Sequence, residues 1–200
     1  QRILPRMGGC KTSKETTIQD VASICKNGFN RILVAGGDGT LHDVINGIFI
    51  SGTNPFLGII PVGTGNDLAR DAGLFKIFCN NPKDYLKSLN ANLLNPAYRL
   101  HTVLSLNNEL FFSNYLGIGF DGAIIREFHL KRFINLPNRL IYLYCVIKTL
   151  LKGYYYKIAI PGLMNKNNTS LHKKIKQLLV LNISSYAGGL INIEKKKVNS

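Results

Sequence analysis

Acidic side chains are scarce in this chain: 11 Asp and Glu stand against 25 Lys and Arg in 200 residues, for a formal net charge of +14. The imbalance is uneven, +4 over residues 1–100 and +10 over residues 101–200. A basic second half favours anionic partners: nucleotide, nucleic acid or an anionic membrane surface. A solvated, lysine-rich surface is the plain alternative. Cysteine is sparse and scattered. Cys10, Cys25, Cys79 and Cys145 form no Cys-x-x-Cys pair, and the four histidines do not cluster with them. That argues against a zinc site and fits reduced thiols in a cytoplasmic protein. Long apolar runs are missing too. The longest apolar helix candidate, Leu140 to Leu151, is interrupted by Lys148 and is too short to span a bilayer, so membrane contact is expected to be peripheral. The N-terminus has no signal-peptide pattern. No internal repeat occurs, nor any low-complexity tract beyond Lys195-Lys196-Lys197. What is present is enough apolar material, 46% of the residues, for a real core in one large domain or two small ones.

Periodicity divides the chain into two halves. Thr16 to Lys26 reads as a helix with Ile18, Val21, Ala22 and Cys25 on one face and Asn27-Gly28 as its stop. An apolar strand follows at Arg31–Ala35, then a glycine turn at Gly36–Thr40. A helix from Leu41 to about Ile50 has apolar positions 41, 44, 45 and 48. Phe56 to Val62 reads as a second buried strand, followed by a turn at Gly63–Asp67 and Leu68-Ala69-Arg70, with Thr64 or Asn66 as a helix cap. Pro82 to Leu89 is a further helix. This alternation predicts a parallel α/β sheet. The pattern changes near Asn95-Pro96. Tyr98–Leu106 and Glu109–Tyr115 read as strands joined at Asn107-Asn108, and Gly117–Gly122 as another glycine turn. A helix spans 138–151, Tyr154–Ile160 is a strand, and Pro161–Lys174 reads as a polar loop. Gln177–Ile183 and Leu190–Ile193 are the last strands. The expected organisation is an N-terminal nucleotide-binding α/β domain over 1–95 and a β-rich domain over 96–200.

The chemistry concentrates in two turns. Gly36, Gly37 and Gly39 surround Asp38, with Thr40 supplying a hydroxyl at the helix start. Strand, glycine turn and helix together point backbone N–H groups and a helix N-terminus at one spot, where an anionic phosphate is stabilised. The turn is not a Walker A loop, because no lysine follows the last glycine, and it is not G-x-G-x-x-G. A carboxylate beside a bare phosphate is costly. Asp38 makes sense there if it holds a cation, contacts a hydroxyl or moves a proton. Gly63-Thr64-Gly65-Asn66-Asp67 repeats the arrangement. Two such turns at the C-terminal ends of neighbouring parallel strands would face one crevice.

The stretches GGDGTLHDVINGI at 36–48 and PVGTGNDLAR at 61–70 resemble the two nucleotide-loop signatures of the diacylglycerol kinase catalytic domain, a family that includes bacterial lipid kinases and sphingosine kinases and is related to NAD kinases. Two further stretches are similar to later family segments: Phe112 to Gly122, with its N-x-x-x-x-G-x-D pattern, and Leu181 to Gly189. The resemblance covers about residues 12–193. It implies a nucleotide-binding α/β domain followed by a β-sandwich-like domain, with the active site between them, and transfer of the ATP γ-phosphoryl group to a lipid hydroxyl with Mg2+. By position, Gly36 to Asp43 (including Leu41 and His42) would line the ATP phosphates. Gly63, Thr64 and Asn66 would touch the nucleotide with Asp67 beside them, and Thr12 would fall near a family threonine that contacts nucleotide. Asp38 would organise phosphate and Mg2+, the latter through water. The implied partners are ATP and a lipid at an anionic membrane surface, with a homodimer left open and no nucleic acid.

Three departures from the family pattern stand out. The N-P-x-[SG]-G type loop that usually opens the family is expected upstream of this sequence. His101 stands where many bacterial relatives carry an aspartate of the metal network. The acidic D-G segment that supplies the catalytic base is expected beyond Ser200, so the chain reads as a fragment whose own activity is in doubt. Two alternatives stay open: a kinase of a soluble substrate, as in NAD kinases, and a non-catalytic nucleotide- or membrane-binding protein. Arg126, Lys131, Arg132 and Arg139 around Phe128, Phe133 and Leu136 suit either docking on an anionic bilayer or an ordinary helix surface. Asp121 suits either a cleft or, more simply, a turn cap.

Overall fold

The computed structural model describes residues 16–92, 98–131, 136–153, 155–164, 170–189 and 191–193. They divide into two compact units, Gln1–Asn114 with Leu181–Ser200, and Tyr115–Val180.

The first unit opens with α1 (Thr17–Lys26), β1 (Arg31–Gly36), α2 (Asp38–Ser51) and β2 (Phe56–Pro61). Strands β1 and β2 pair in parallel, from Arg31 opposite Phe56 to Gly36 opposite Pro61. This is the expected parallel α/β arrangement. Val34 and Ile59 point from the strands into a core completed by Val21 and Cys25 of α1, Leu41, Val44 and Ile45 of α2, and Leu68, Ala69 and Ile183. Apolar residues at i, i+3 and i+4 thus place one stripe of each helix on the sheet. The helices α1 and α2 meet at Gly47, where a Cβ would lie 2.6 Å from the Ile18 carbonyl oxygen; only glycine allows that approach. Short helices follow: α3 (Asp67–Asp71), α4 (Leu74–Asn80) and α5 (Pro82–Asn92). The Tyr85 hydroxyl on α5 donates to the Ile59 carbonyl at 2.5 Å, and burial pushes its pKa up.

The hairpin β3 (Leu104–Leu106) and β4 (Leu110–Phe112) is antiparallel. Its turn places Asn107 at φ 55° and Asn108 at φ 60°, the left-handed region that asparagine tolerates best after glycine. Only residues 104–106 of the strand expected over 98–106 form a ladder, and the expected return strand contracts to 110–112. Asn46 on α2 holds the hairpin: its Nδ2 donates to the Phe111 carbonyl at 2.9 Å and its Oδ1 accepts the Phe111 N–H at 3.3 Å. The buried amide therefore imitates a strand edge.

The second unit holds β5 (Tyr115–Gly119), α6 (Phe120–Lys131), α7 (Asn138–Lys152), β6 (Tyr156–Met164), β7 (Ser170–Ile175) and β8 (Gln177–Leu181), whose last residue falls in the first unit. β5 pairs with β8, and β6 runs antiparallel to β7. Here the sequence reading needs correction. Gly117–Gly122 is not a turn: it is the end of a strand running straight into α6, so this half carries two substantial helices. The supposed loop 161–174 belongs instead to β6 through Met164 and to β7 from Ser170. Ile124, Ile141 and Cys145 form the core between α6 and α7, with Phe128 packed against it. The chain re-enters the first unit with the short antiparallel pair β9 (Ser185–Tyr186) and β10 (Ile191–Asn192).

Candidate functional site

The register of β1 against β2 brings both strands to an end at the same level, so the two glycine turns leave side by side. They are in backbone contact. A Cβ on Gly63 would lie 2.3 Å from the Gly37 Cα, and one on Gly37 would lie 3.0 Å from the Gly63 Cα. Neither position has room for any residue but glycine. A third glycine requirement is internal to the first turn: a Cβ on Gly36 would sit 2.7 Å from the Thr40 Cβ.

Most of the first turn is helix. Gly37 is the N-cap of α2, and Asp38, Gly39 and Thr40 form the first helical turn, three residues ahead of the expected start at Leu41. Propensity hides this start, because two glycines and an aspartate are poor helix formers in an interior. No side chain caps this terminus. The first N–H groups of a helix have no intrahelical acceptor, so those of Asp38, Gly39 and Thr40 are available to an anion. Above Gly39 there is open space: a Cβ there would meet nothing within 4 Å.

Asp38 ties the turns together. Its Oδ1 accepts the Leu68 N–H at the start of α3 (3.2 Å) and the Asn114 Nδ2 (2.8 Å). Its Oδ2 lies 2.8 Å from where a Cβ on Gly65 would be, and the Asp67 Oδ2 lies 3.8 Å from the same point. Asn66 is buried and left-handed at φ 56°. It occupies the N-cap position of α3, but its side chain turns back, accepting the Gly63 N–H at 3.1 Å and donating to the Gly63 carbonyl at 2.6 Å. It therefore shapes the second turn instead of capping the helix with its side chain.

Asp67 is only 2% exposed and serves another segment. Its Oδ1 accepts from the Ser185 hydroxyl (2.7 Å) and the Gly189 N–H (3.0 Å), and its Oδ2 from the Gly188 N–H (3.0 Å). One helical turn on, Asp71 accepts both the N–H and the hydroxyl of Ser184, at 2.7 and 2.5 Å. Two carboxylates four residues apart thus latch residues 184–189 onto α3. The turn they hold has three successive positive φ values at Ala187, Gly188 and Gly189, which aim the last two N–H groups at Asp67.

The remaining candidates separate by exposure. Leu41 is in the core, so only its backbone can meet a ligand. His42 and Asp43 are half-buried on α2, and Thr40 and Thr64 are exposed. The His42 ring nitrogen is 3.5 Å from the Asn46 amide, and the His101 ring nitrogen is 3.2 Å from the Ser113 carbonyl. Thr12 lies outside the described residues, as do Arg132 and Phe133. Arg126 and Leu136 are exposed, whereas Phe128 packs inward. Asp121 is buried at the head of α6, packed over Gly117. Asn114, Arg70 and Ser185 belong to the site's framework, although the sequence reading assigned them no role; all three lie within stretches it quoted.

The site fits a nucleotide phosphate with its metal. Open space lies above Gly39 at an uncapped helix start, and the Asp38 Oδ2 has no protein hydrogen bond among the described residues. No group of three or more His, Cys, Asp or Glu side chains is assembled for a metal among those residues. Asp38 is the carboxylate that could hold a divalent cation beside a phosphate, the rest of the cation's shell being phosphate oxygens and water.

Two glycine turns thus meet at the ends of adjacent parallel strands, beside a helix N-terminus, in an α/β domain. The chain belongs to the diacylglycerol kinase catalytic-domain family: the diacylglycerol kinase catalytic domain matches residues 8–97 and the diacylglycerol kinase accessory domain matches residues 111–200. "Diacylglycerol kinase" of Bacillus subtilis (strain 168) is 37% identical over 91 residues, 46% of this chain and 27% of that protein. A second protein of that strain, named "Putative lipid kinase YtlR", is 27% identical over 184 residues, 88% of this chain and 57% of its own length. The fold is that of a Bacillus anthracis str. Sterne crystal structure titled "a putative diacylglycerol kinase", with TM-score 0.59 at 22% identity, covering 91% of this chain and 56% of that one. The chain therefore spans little more than half the length of the relatives that match most of it. No helix among the described residues is long and apolar enough to cross a membrane.

Proposed function

We propose that this protein is an ATP-dependent lipid kinase that transfers the γ-phosphoryl group to a lipid hydroxyl, with diacylglycerol as the acceptor and phosphatidic acid as the product. The observation that carries the reading is the backbone contact between Gly37 and Gly63, which makes one cradle of two turns, with Asp38 bonded across it. Phosphoryl transfer asks a protein for positioning and charge neutralisation more than for covalent chemistry, and the cradle offers both.

In this reading the N–H groups of Asp38, Gly39 and Thr40 receive phosphate oxygens, and the α2 dipole favours their charge. The turn at Gly63–Asn66 lies against the other side of the nucleotide, held in shape by the Asn66 amide. Mg2+, when bound, would be held by the Asp38 Oδ2 directly or through water and would neutralise the charge on the phosphates. Asn114 and the Leu68 N–H fix the carboxylate through its other oxygen, so that Oδ2 keeps one orientation. Membrane contact is peripheral, and the basic surface draws the protein to an anionic bilayer.

The test is transfer of label from [γ-32P]ATP to diacylglycerol in mixed micelles by the intact protein, with NAD as a parallel acceptor. Labelled phosphatidic acid is the expected product. Labelled NADP without labelled lipid, or no transfer to either while ATP binds, would replace this reading with a soluble-substrate kinase or a non-catalytic nucleotide-binding protein.

A further inference from the structure

A cleft of about 420 Å3 opens in the first unit between α3–α4 and Ser184, Ser185, Gly189 and Asn192. None of Gly36–Asp43 and none of Gly63–Asn66 lines it. It contains two cations, Arg70 and Lys76, and neither forms an ion pair among the described residues.

Arg70 is held from several sides. Its Nε donates to the Gly65 carbonyl at 2.9 Å, and its guanidinium carbon lies 3.8 Å from the centre of the Phe75 ring. Gly189 leaves space for it: a Cβ there would lie 3.0 Å from the Arg70 Cδ and 3.2 Å from Nη1. A guanidinium normally loses rotamer freedom on binding an anion, and here most of that freedom is already gone. Its Nη1 and Nη2 hydrogens have no protein acceptor among the described residues. Lys76, exposed on α4, lines the same cleft. The one acid on the lining, Asp71, has its Oδ1 turned to the Ser184 N–H and hydroxyl.

We propose that this cleft is a second anion site that takes a phosphate group, with Arg70 as the fixed fork and Lys76 as the exposed second charge. A fork with a neighbouring ammonium matches a phosphate dianion better than a single carboxylate. The phosphate can come from a lipid headgroup or from a free phosphate ester. The proposal does not rest on the kinase reading: none of the residues proposed to meet ATP lines the cleft, although Arg70 and Ser185 also brace the neighbouring turn and helix.

Two binding measurements test it on the intact protein: calorimetric titration with inorganic phosphate, and sedimentation with phosphatidylcholine vesicles with or without phosphatidic acid. Saturable phosphate binding is expected. Lys76→Glu, at an exposed position, should weaken it about tenfold, the worth of one charge-assisted contact, with an unchanged melting temperature. Arg70→Lys keeps the charge but loses the fork and should weaken binding at least as much; should that variant melt early, Lys76→Glu decides alone. Retention on phosphatidic acid vesicles that free phosphate displaces assigns the site to a lipid headgroup, and phosphate binding without such retention assigns it to a soluble ester. Phosphate binding by Lys76→Glu as tight as that of the parent, or no saturable binding of either probe, overturns the proposal.

Discussion

Replacing Gly63 by alanine should separate the two glycine turns. The new Cβ would lie 2.3 Å from the Gly37 Cα and 2.9 Å from both the Gly37 nitrogen and the Asn66 Oδ1. Two of these three atoms are backbone, so no rotamer change relieves the clash. Overpacking a tight site costs about 1–3 kcal/mol, and an unyielding backbone neighbour puts this case near 3 kcal/mol. For a protein of this size that is a fall of roughly 6–12 °C in Tm. ATP affinity should fall with it, because the cradle is the contact that is lost. Gly39→Ala is the control. Gly39 sits in the first turn of α2 with nothing within 4 Å of a new Cβ, so folding should gain about 0.5–1 kcal/mol from reduced backbone freedom. The methyl group would nevertheless occupy the space proposed for phosphate, so ATP binding should weaken. Thermal melting and ATP calorimetry on the two variants read both quantities. A Gly63→Ala protein as stable as the parent would refute the turn contact; a more stable Gly39→Ala protein with undiminished ATP affinity would refute the placement of phosphate.

Four further outcomes follow from the same geometry. Asp38→Asn keeps an oxygen to accept from Leu68 and loses the charge, so it should melt near the parent while transfer falls about 10²–10³-fold, as measured by label from [γ-32P]ATP. Asp67→Asn places an N–H group among three donors in a buried site and should cost about 2–3 kcal/mol by denaturant titration. Asn108→Val forces a β-branched residue to φ 60° and should cost about 1–2 kcal/mol, leaving ATP binding unchanged. The hydrogen bond to Lys148 holds the Glu127 carboxyl below the ordinary range and holds the Lys148 ammonium above its own. The contribution of the pair is therefore complete near neutral pH. It is lost as pH falls through the depressed carboxylate value or rises through the raised lysine value, so Glu127→Gln should flatten the acid limb of a melting-versus-pH curve.

The α/β half was legible because its strands are continuous apolar runs and its helices repeat at 3.6. Val34, Leu41, Val44, Ile45 and Ile59 all reached the core that the pattern assigned them. The start of α2 at Asp38 was not legible, since Gly37-Asp38-Gly39 has poor helix propensity, and tertiary contact with Gly63 and Leu68 decides it instead. Helix α6 was hidden for a related reason: Gly117, Gly119 and Gly122 punctuate like a turn, yet the chain moves directly from strand to helix, and Gly117 leaves room for Asp121 to pack on β5. Within the site, the glycines and Asp38 could be read locally. The partners of Asp67 and Asp71 lie more than 110 residues away in sequence, at Ser184, Ser185, Gly188 and Gly189, and no local pattern points to such pairings. Asn114 escaped assignment because its role is to orient another side chain, a function with no spacing of its own.

The central claim is that two turns form one cradle for the ATP phosphates. The most direct measurement is a titration of the isotopically labelled protein with MgATP, following the backbone amide resonances of Gly37 to Leu41 and of Gly63 to Gly65. The account predicts that both groups shift together along one saturation curve, and that Asp38→Asn weakens that curve. Shifts confined to one turn, shifts that saturate at different ATP concentrations, or a saturable response elsewhere with these amides unmoved would contradict it.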